Sequence, residues 1–372
     1  MMTHPEKKNI PIQQLLTALL DDQTAFPPAY LRHLSDLEGR DLEAFRSVWP
    51  QISSRRRFTL LEDLEDLAEI DTLVSFHAIA SLALEDSDPR VRAVAIRMLW
   101  EAEDLKLADR FIKMLNEDES VEVRAAAASA LGIFIYESEL EEIPVEIGHR
   151  VEDRLIAVIN SQEDLLVRRR ALESLGFSSR QEVPGLIRDA YNSGNTDWIA
   201  SALFAMGRSA DQAWEADVLR MVNSPKADIQ LDAVRAAGAL ELDRARRKLL
   251  DLLEEEAQDS EIREAVIWSL SQIGGDEVRE TLEELMEKSE DDEELEILEN
   301  ALDNLSFVED VGLYGLFDFD QLGLANKEIE DIDAYTTGKD EVENKIDLPD
   351  ESSDSSSPKK SNHNQHRHRK SS

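Results

Sequence analysis

The 372-residue sequence has no cysteine. Disulfides, thiolate zinc sites, iron–sulfur clusters and cysteine nucleophiles are therefore excluded, while the redox compartment stays open. Basic charge is scarce: 41 Lys and Arg face 80 Asp and Glu, a formal net charge of −39. Contact with nucleic acid or an anionic membrane needs positive potential, so this balance disfavours both and favours solubility and basic partners. No stretch reaches the roughly 18 uninterrupted apolar residues of a spanning helix. Met1 to Leu20 has neither the apolar run nor the small-residue cleavage site of a signal peptide, so a soluble, cytoplasmic protein is expected. A glycine-rich phosphate loop and a Ser/His/Asp spacing suited to nucleophilic catalysis are also missing. The acidic run Glu287 to Glu296 lacks the glycine turn and alternating ligands of a calcium loop. No catalytic, metal or cofactor-binding residue is assigned.

What is present is a repeat. In Asp86 to Trp100, Asp88 suits a helix N-cap, Pro89 the first helical position, and Val91, Ala95 and Leu99 fall on one helical face. Taking Val91 as a mark, the same grammar returns at Val123, Val167, Trp198, Ile229 and Ile262, at separations of 32, 44, 31, 31 and 33 residues. Three residues before each mark stand Asp88, Ser120, Asp164, Asn195, Lys226 and Asp259, so all but Lys226 offer a capping acceptor. Four after come Ala95, Ala127, Ala171, Ala202, Ala233 and Val266; eight after come Leu99, Leu131, Leu175, Met206, Ala237 and Leu270. Nine after the mark, Gly132, Gly176, Gly207 and Gly238 are expected to end their helices in the left-handed conformation. Trp100 and Ser271 depart from that rule.

A period near 32 fits two helices and their turns, each pair leaving apolar surface that only the next pair covers. The expected fold is all-α: a right-handed α-solenoid of about eight helix pairs. The marked helices are the second of each pair. First helices are expected over Leu73 to Leu84, Leu105 to Leu115, Val151 to Ile159, Pro184 to Tyr191, Trp214 to Val222, Ala245 to Leu253 and Val278 to Met286. A helix carrying Leu298, Ala301, Leu302 and Leu305 closes the array. Residues 1–41 read as capping helices and 42–306 as the array. Residues 307–325 read as a C-terminal cap or an exposed motif at Leu313 to Phe319, and 326–372 as a disordered tail, acidic and serine-rich, then basic.

The pattern Asp86-x-Asp88-Pro89-x-Val91-Arg92-x-x-Ala95, echoed at Val123-Arg124, Val167-Arg168 and Ile262-Arg263, resembles the HEAT repeat, in particular the short bacterial form related to phycobilisome-lyase-type repeats. The resemblance implies contacts between repeats from Arg92, Arg124, Arg168 and Arg263, with a ladder interrupted where Ile199 and Gln230 stand instead. Enzymes on similar repeats include deoxyhypusine hydroxylase, which uses His-Glu pairs as iron ligands; this sequence has no His-Glu dipeptide, and His33, His77 and His149 are scattered. Alkylpurine glycosylases of this type need a basic groove. Bilin lyases announce their site by no short motif and stay open as an alternative. Trp100, Trp198, Trp214 and Trp268 are expected in the core. The clusters Arg55 to Arg57, Arg168 to Arg170 and Arg244 to Lys248 are expected to pair with nearby acids.

The function expected is a non-enzymatic adaptor that holds a protein or peptide of basic character on the concave face as a monomer, the alternative being a bilin-lyase-like or other HEAT-type enzyme or a chaperone-like assembly factor. The irregular 44-residue interval marks a place for that partner. Its extra residues, 133–147, mix apolar, aromatic and acidic groups and stop helix at Pro144. Insertions in repeat arrays map to loops, often on the binding face. Tyr136 would be the anchor, and Glu137, Glu139, Glu141 and Glu142 would steer the partner. Equally, Ile133, Ile135 and Leu140 would only extend a helix and seal a local gap.

Overall fold

The structure is a computed structural model and describes residues 10–100, 102, 104–254 and 259–307. All belong to one compact unit, Met1–Val311. The readings made for 308–372 lie outside the described residues. Among the described residues there is no strand. Two short helices, α1 (Ile12–Leu20) and α2 (Pro28–Leu31), precede the array. Its pairs begin with α3 (Gly39–Val48) and α4 (Ser54–Ile70), α5 (His77–Ala83) and α6 (Pro89–Arg97), and α7 (Lys106–Glu117) and α8 (Val121–Ala130). An added helix α9 (Gly132–Glu139) follows, then α10 (Val145–Ile159) with α11 (Leu165–Leu175), and α12 (Val183–Tyr191) with α13 (Thr196–Arg208). The remaining pairs are α14 (Glu215–Met221) with α15 (Ala227–Ala239), α16 (Arg246–Leu253) with α17 (Ser260–Ile273), and α18 (Asp276–Lys288) with α19 (292–307).

The start signals work as the spacing predicts. The side chains of Asp88, Ser120, Asp164, Asn195 and Asp259 each accept a first-turn amide, and Lys226 caps nothing. The residues four and eight after each mark are all 2% exposed or less, so they form one continuous buried stripe. The second helices stack in order, α4 on α6, α8, α11, α13, α15 and α17, while the first helices meet one another far less.

The glycines nine after the mark act differently from the expectation. None of Gly132, Gly176, Gly207 and Gly238 has positive φ. They are points of contact between successive second helices. A Cβ on Gly176 would lie 2.7 Å from the Ala205 carbonyl oxygen, one on Gly207 3.1 Å from Ala236 Cα, and one on Gly238 2.7 Å from Ser269 Cα. On Gly132 it would meet Ser174 Oγ at 3.0 Å. Each partner stands seven after its own mark, where the chain reads Ser174, Ala205, Ala236 and Ser269. The serines donate back across the contact, Ser174 Oγ to Ala128 O at 2.8 Å and Ser269 Oγ to Val234 O at 2.9 Å. The left-handed turns fall three residues later, at Ala210, Glu241 and Gly274. Glycine was needed for backbone approach, not for turning.

The arginine ladder joins successive repeats. Arg92 donates to Asp86 O at 2.7 Å and, with two nitrogens, to both carboxylate oxygens of Asp118 at 2.8 Å. Arg124 reaches Asp118 O at 2.8 Å and Glu163 at 2.9 Å; Arg263 reaches Leu253 O at 3.1 Å and Glu294 at 2.7 Å. Arg168 donates to Ile159 O at 2.9 Å and lies over the Trp198 ring, so no acid carries the ladder onward there. The other basic residues pair mainly with acids or carbonyls, as with Arg57 to Asp86 at 3.1 Å and Arg247 to Glu277 at 3.0 Å. Trp214 is buried and Trp198 half-buried, but Trp100 and Trp268 are 55% and 51% exposed, against the expectation that all four are core residues. The period fixes which residues share a helix but not whether a position at the stripe's edge is covered by the next helix.

Candidate functional site

The insertion becomes α9, and it both seals and protrudes. Phe134 and Ile135 are buried, with the Phe134 ring edge-on to Phe111 at 6.5 Å, so that side belongs to the core. Ile133 is half-buried and Leu140 exposed. Tyr136 is 43% exposed with its ring 5.2 Å from Phe177, on the loop after α11. Glu137 is half-buried. Glu139 accepts the Ser179 amide at 2.8 Å, while Glu141 and Glu142 lie exposed in the turn. Glu141 takes the left-handed conformation, φ 60°, which ends α9 before Pro144 and sets off α10 in a new direction. The five insertion residues therefore lie close together, though only Tyr136, Glu139, Glu141 and Glu142 are freely accessible.

Tyr136 starts a ladder. The Arg208 guanidinium lies over Phe177 at 4.6 Å and over Phe204 at 4.4 Å. Tyr136, Phe177, Arg208 and Phe204 thus run as one stack from α9 across the end of α11 to α13. Arg208 Nη1 also donates to Glu173 O at 3.2 Å. Burial pulls the Arg208 guanidinium down to about 10, against the pull of Glu173, so it remains charged at neutral pH.

Beside the stack is a charge network on successive second helices. The buried Glu173 carboxylate accepts from Ser201 Oγ at 2.6 Å and from Arg170 at 2.6 Å, and Arg169 Nε donates to Ser201 Oγ at 2.9 Å. Burial first, and Glu173 second, push Asp232 up to about 7, while Arg235, Arg169 and Arg170 oppose them. Sequence reading missed this network. The available signal was the series three and six after the mark, where Arg170, Ser201 and Asp232 and then Glu173, Phe204 and Arg235 follow one another.

Between α9, its turn and α10 lies a cavity of about 470 Å³. Ile135, Ile143 and Val145 give it an apolar wall, and Glu139, Glu141, His149 and Glu152 give it acidic and imidazole groups. Among the described residues no three His, Asp or Glu converge as metal ligands, and no helix is long and apolar enough to cross a membrane.

The repeat spacing, the capped second helices and the stacked pairs agree with one comparison by sequence: HEAT repeats match residues 77–145 and 217–303. No curated protein sequence matches it. Among solved structures, the chain is similar to Escherichia coli YibA at 15% identity, over 77% of this chain and 98% of that one, with a TM-score of 0.39. It is similar to human deoxyhypusine hydroxylase in complex with glycerol at 12% identity, over 80% and 96%, TM-score 0.33. A third similarity is to Kap95p bound to RanGDP at 16% identity, over 79% and 40%, TM-score 0.34.

Proposed function

We propose that this HEAT protein is a non-enzymatic adaptor that holds a segment of a partner protein along its second helices, with the α9 insertion as the anchoring point. The observation that carries the reading is the stack of Tyr136, Phe177, Arg208 and Phe204. It fixes aromatic faces across two repeats, and its outermost ring is 43% exposed. Rigid aromatic and arginine groups lose little freedom on binding and recur as interface anchors. Trp100, in the turn after α6, and Trp268, on α17, are two further exposed aromatic rings. Tight packing of the second helices makes theirs the inner side of any bend in the array, which favours a long, cradled partner. The accessible Glu139, Glu141 and Glu142 favour a basic segment, in keeping with the net charge of −39.

The test is selection of displayed random peptides on the full chain, followed by affinity measurement on Tyr136→Ala and on the triple variant Glu139→Gln, Glu141→Gln, Glu142→Gln. Selected peptides should carry lysine or arginine near a large apolar residue. Each variant should weaken them about tenfold or more, and the acidic triple should also flatten the salt dependence. Peptides that bind both variants as well as wild type would overturn the reading.

A further inference from the structure

Glu152 is the one carboxylate of the α9–α10 cavity that sits inside rather than at its rim. The residue is 2% exposed. One oxygen accepts from Ser178 Oγ. The other, Oε2, is buried with no hydrogen-bond partner. The nearest cation is Arg180, with Nη1 4.0 Å away, and that guanidinium is already committed to Asp153 and to Glu182 at 3.0 Å. A buried carboxylate oxygen without a donor is costly, and burial here holds the Glu152 carboxyl above its usual range, against Ser178, Arg180 and His149 and with Glu139.

We propose that the cavity is a receptor for a single lysine side chain of the partner, its ammonium donating to Glu152 Oε2 and its methylenes lying on Ile135, Ile143 and Val145. This deepens the adaptor reading and rests on it only for the source of the lysine. The exposed Glu139 and Glu141 stand at the rim, where they attract the cation, and the buried Glu152 lies beyond them. The lining therefore offers an apolar wall for an aliphatic stem and an acceptor for its charged end. An ammonium on a flexible stem can donate to the one unpartnered oxygen, Oε2, whereas a guanidinium fork is matched by two coplanar acceptors, and the other Glu152 oxygen is taken by Ser178. A bare divalent ion is disfavoured because no three ligands converge among the described residues.

The pocket also needs its shape held. A Cβ on Gly148 would run into the Ser138 side chain, so α10 can lie this close to α9 only with glycine there. The loop Phe177 to Arg180, which gives Ser179 to the cavity's lining, also carries the second ring of the aromatic stack. A partner anchored on Tyr136 thus has the pocket beside it.

The experiment is a titration of the full chain, with labelled isoleucine and valine methyls, with Nα-acetyl-lysine methylamide and with its norleucine counterpart, followed by NMR. The lysine compound should saturably shift the methyls of Ile135, Ile143 and Val145, and the norleucine compound should leave them in place. Glu152→Gln should weaken the lysine compound about tenfold or more, as loss of a charged acceptor does. Should that variant fail to fold, Glu139→Gln with Glu141→Gln, both exposed, should weaken it in the same direction. Equal shifts by the two compounds, unchanged affinity in the folded variants, no shift at the solubility limit, or a shift by calcium chloride that lysine does not compete for, would each overturn the proposal. Tyr136→Ala should leave the lysine shift intact, so failure of the pocket and failure of the docking surface are read separately.

Discussion

The backbones of Gly176 and Ala205 approach so closely that a methyl group on Gly176 would stand 2.7 Å from the Ala205 carbonyl oxygen. That contact, between the end of α11 and the third turn of α13, is repeated at Gly207 with Ala236 and at Gly238 with Ser269. It sets the spacing of the second helices along the array.

Gly176→Ala should therefore lower stability by about 1–3 kcal/mol, because the clash is with backbone that cannot rotate away. Gly185, inside α12 with nothing within 4 Å, is the control. Gly185→Ala should raise stability by up to about 1 kcal/mol through helix propensity. Urea midpoints of the two variants check both signs.

Arg92 holds Asp118 with two parallel hydrogen bonds at 2.8 Å, and both side chains are about nine-tenths buried, 11% and 9% exposed. Arg92→Ala leaves a shielded carboxylate facing no cation and should cost about 3 kcal/mol. Arg92→Lys should recover little of it, since an ammonium cannot make the paired contact. Arg92→Ala with Asp118→Asn should be milder than the sum of the single changes, as a double-mutant cycle in urea would show.

Asp232 offers a pH signature. Its folded-state value of about 7 lies above the roughly 3.9 of an unfolded aspartate. Between those values the native state binds the extra proton, so this group's contribution to stability is full at low pH and is lost as pH rises toward 7. Asp232→Asn cannot lose that proton. Compared with wild type, the variant should gain stability between pH 5 and pH 8, measured as the difference of urea midpoints at each pH. A difference that does not change with pH would contradict the burial of this carboxyl.

Gly148 and Ser138 make the packing of the insertion testable. Gly148→Ala should destabilise by about 1–3 kcal/mol and shift the methyl resonances of Ile143 and Val145, because α10 must move from α9. Ser138→Gly in the same chain removes the obstructing side chain and should restore the resonances. Rescue of the spectrum without full rescue of stability is expected, since two small residues now face each other across the gap.

The helices, their caps and the buried stripe were legible in the sequence because a 3.6-residue period and an N-cap act within a few residues of chain. Asp88, Ser120 and Asp259 cap their helices whatever lies across the repeat. The arginine ladder was legible in part, as a position and not as a set of partners. Gly176 could be seen as exceptional from its recurrence, but its purpose depends on Ala205, 29 residues away, and on how closely two helices lie. The exposure of Trp100 and Trp268, the stack from Tyr136 to Phe204, and the unpartnered oxygen of Glu152 were decided by tertiary structure alone. Periodicity tells which way a side chain faces along its own helix; whether it then meets solvent, a ring or a cavity is set by the rotation and separation of neighbouring helices, which no local rule contains.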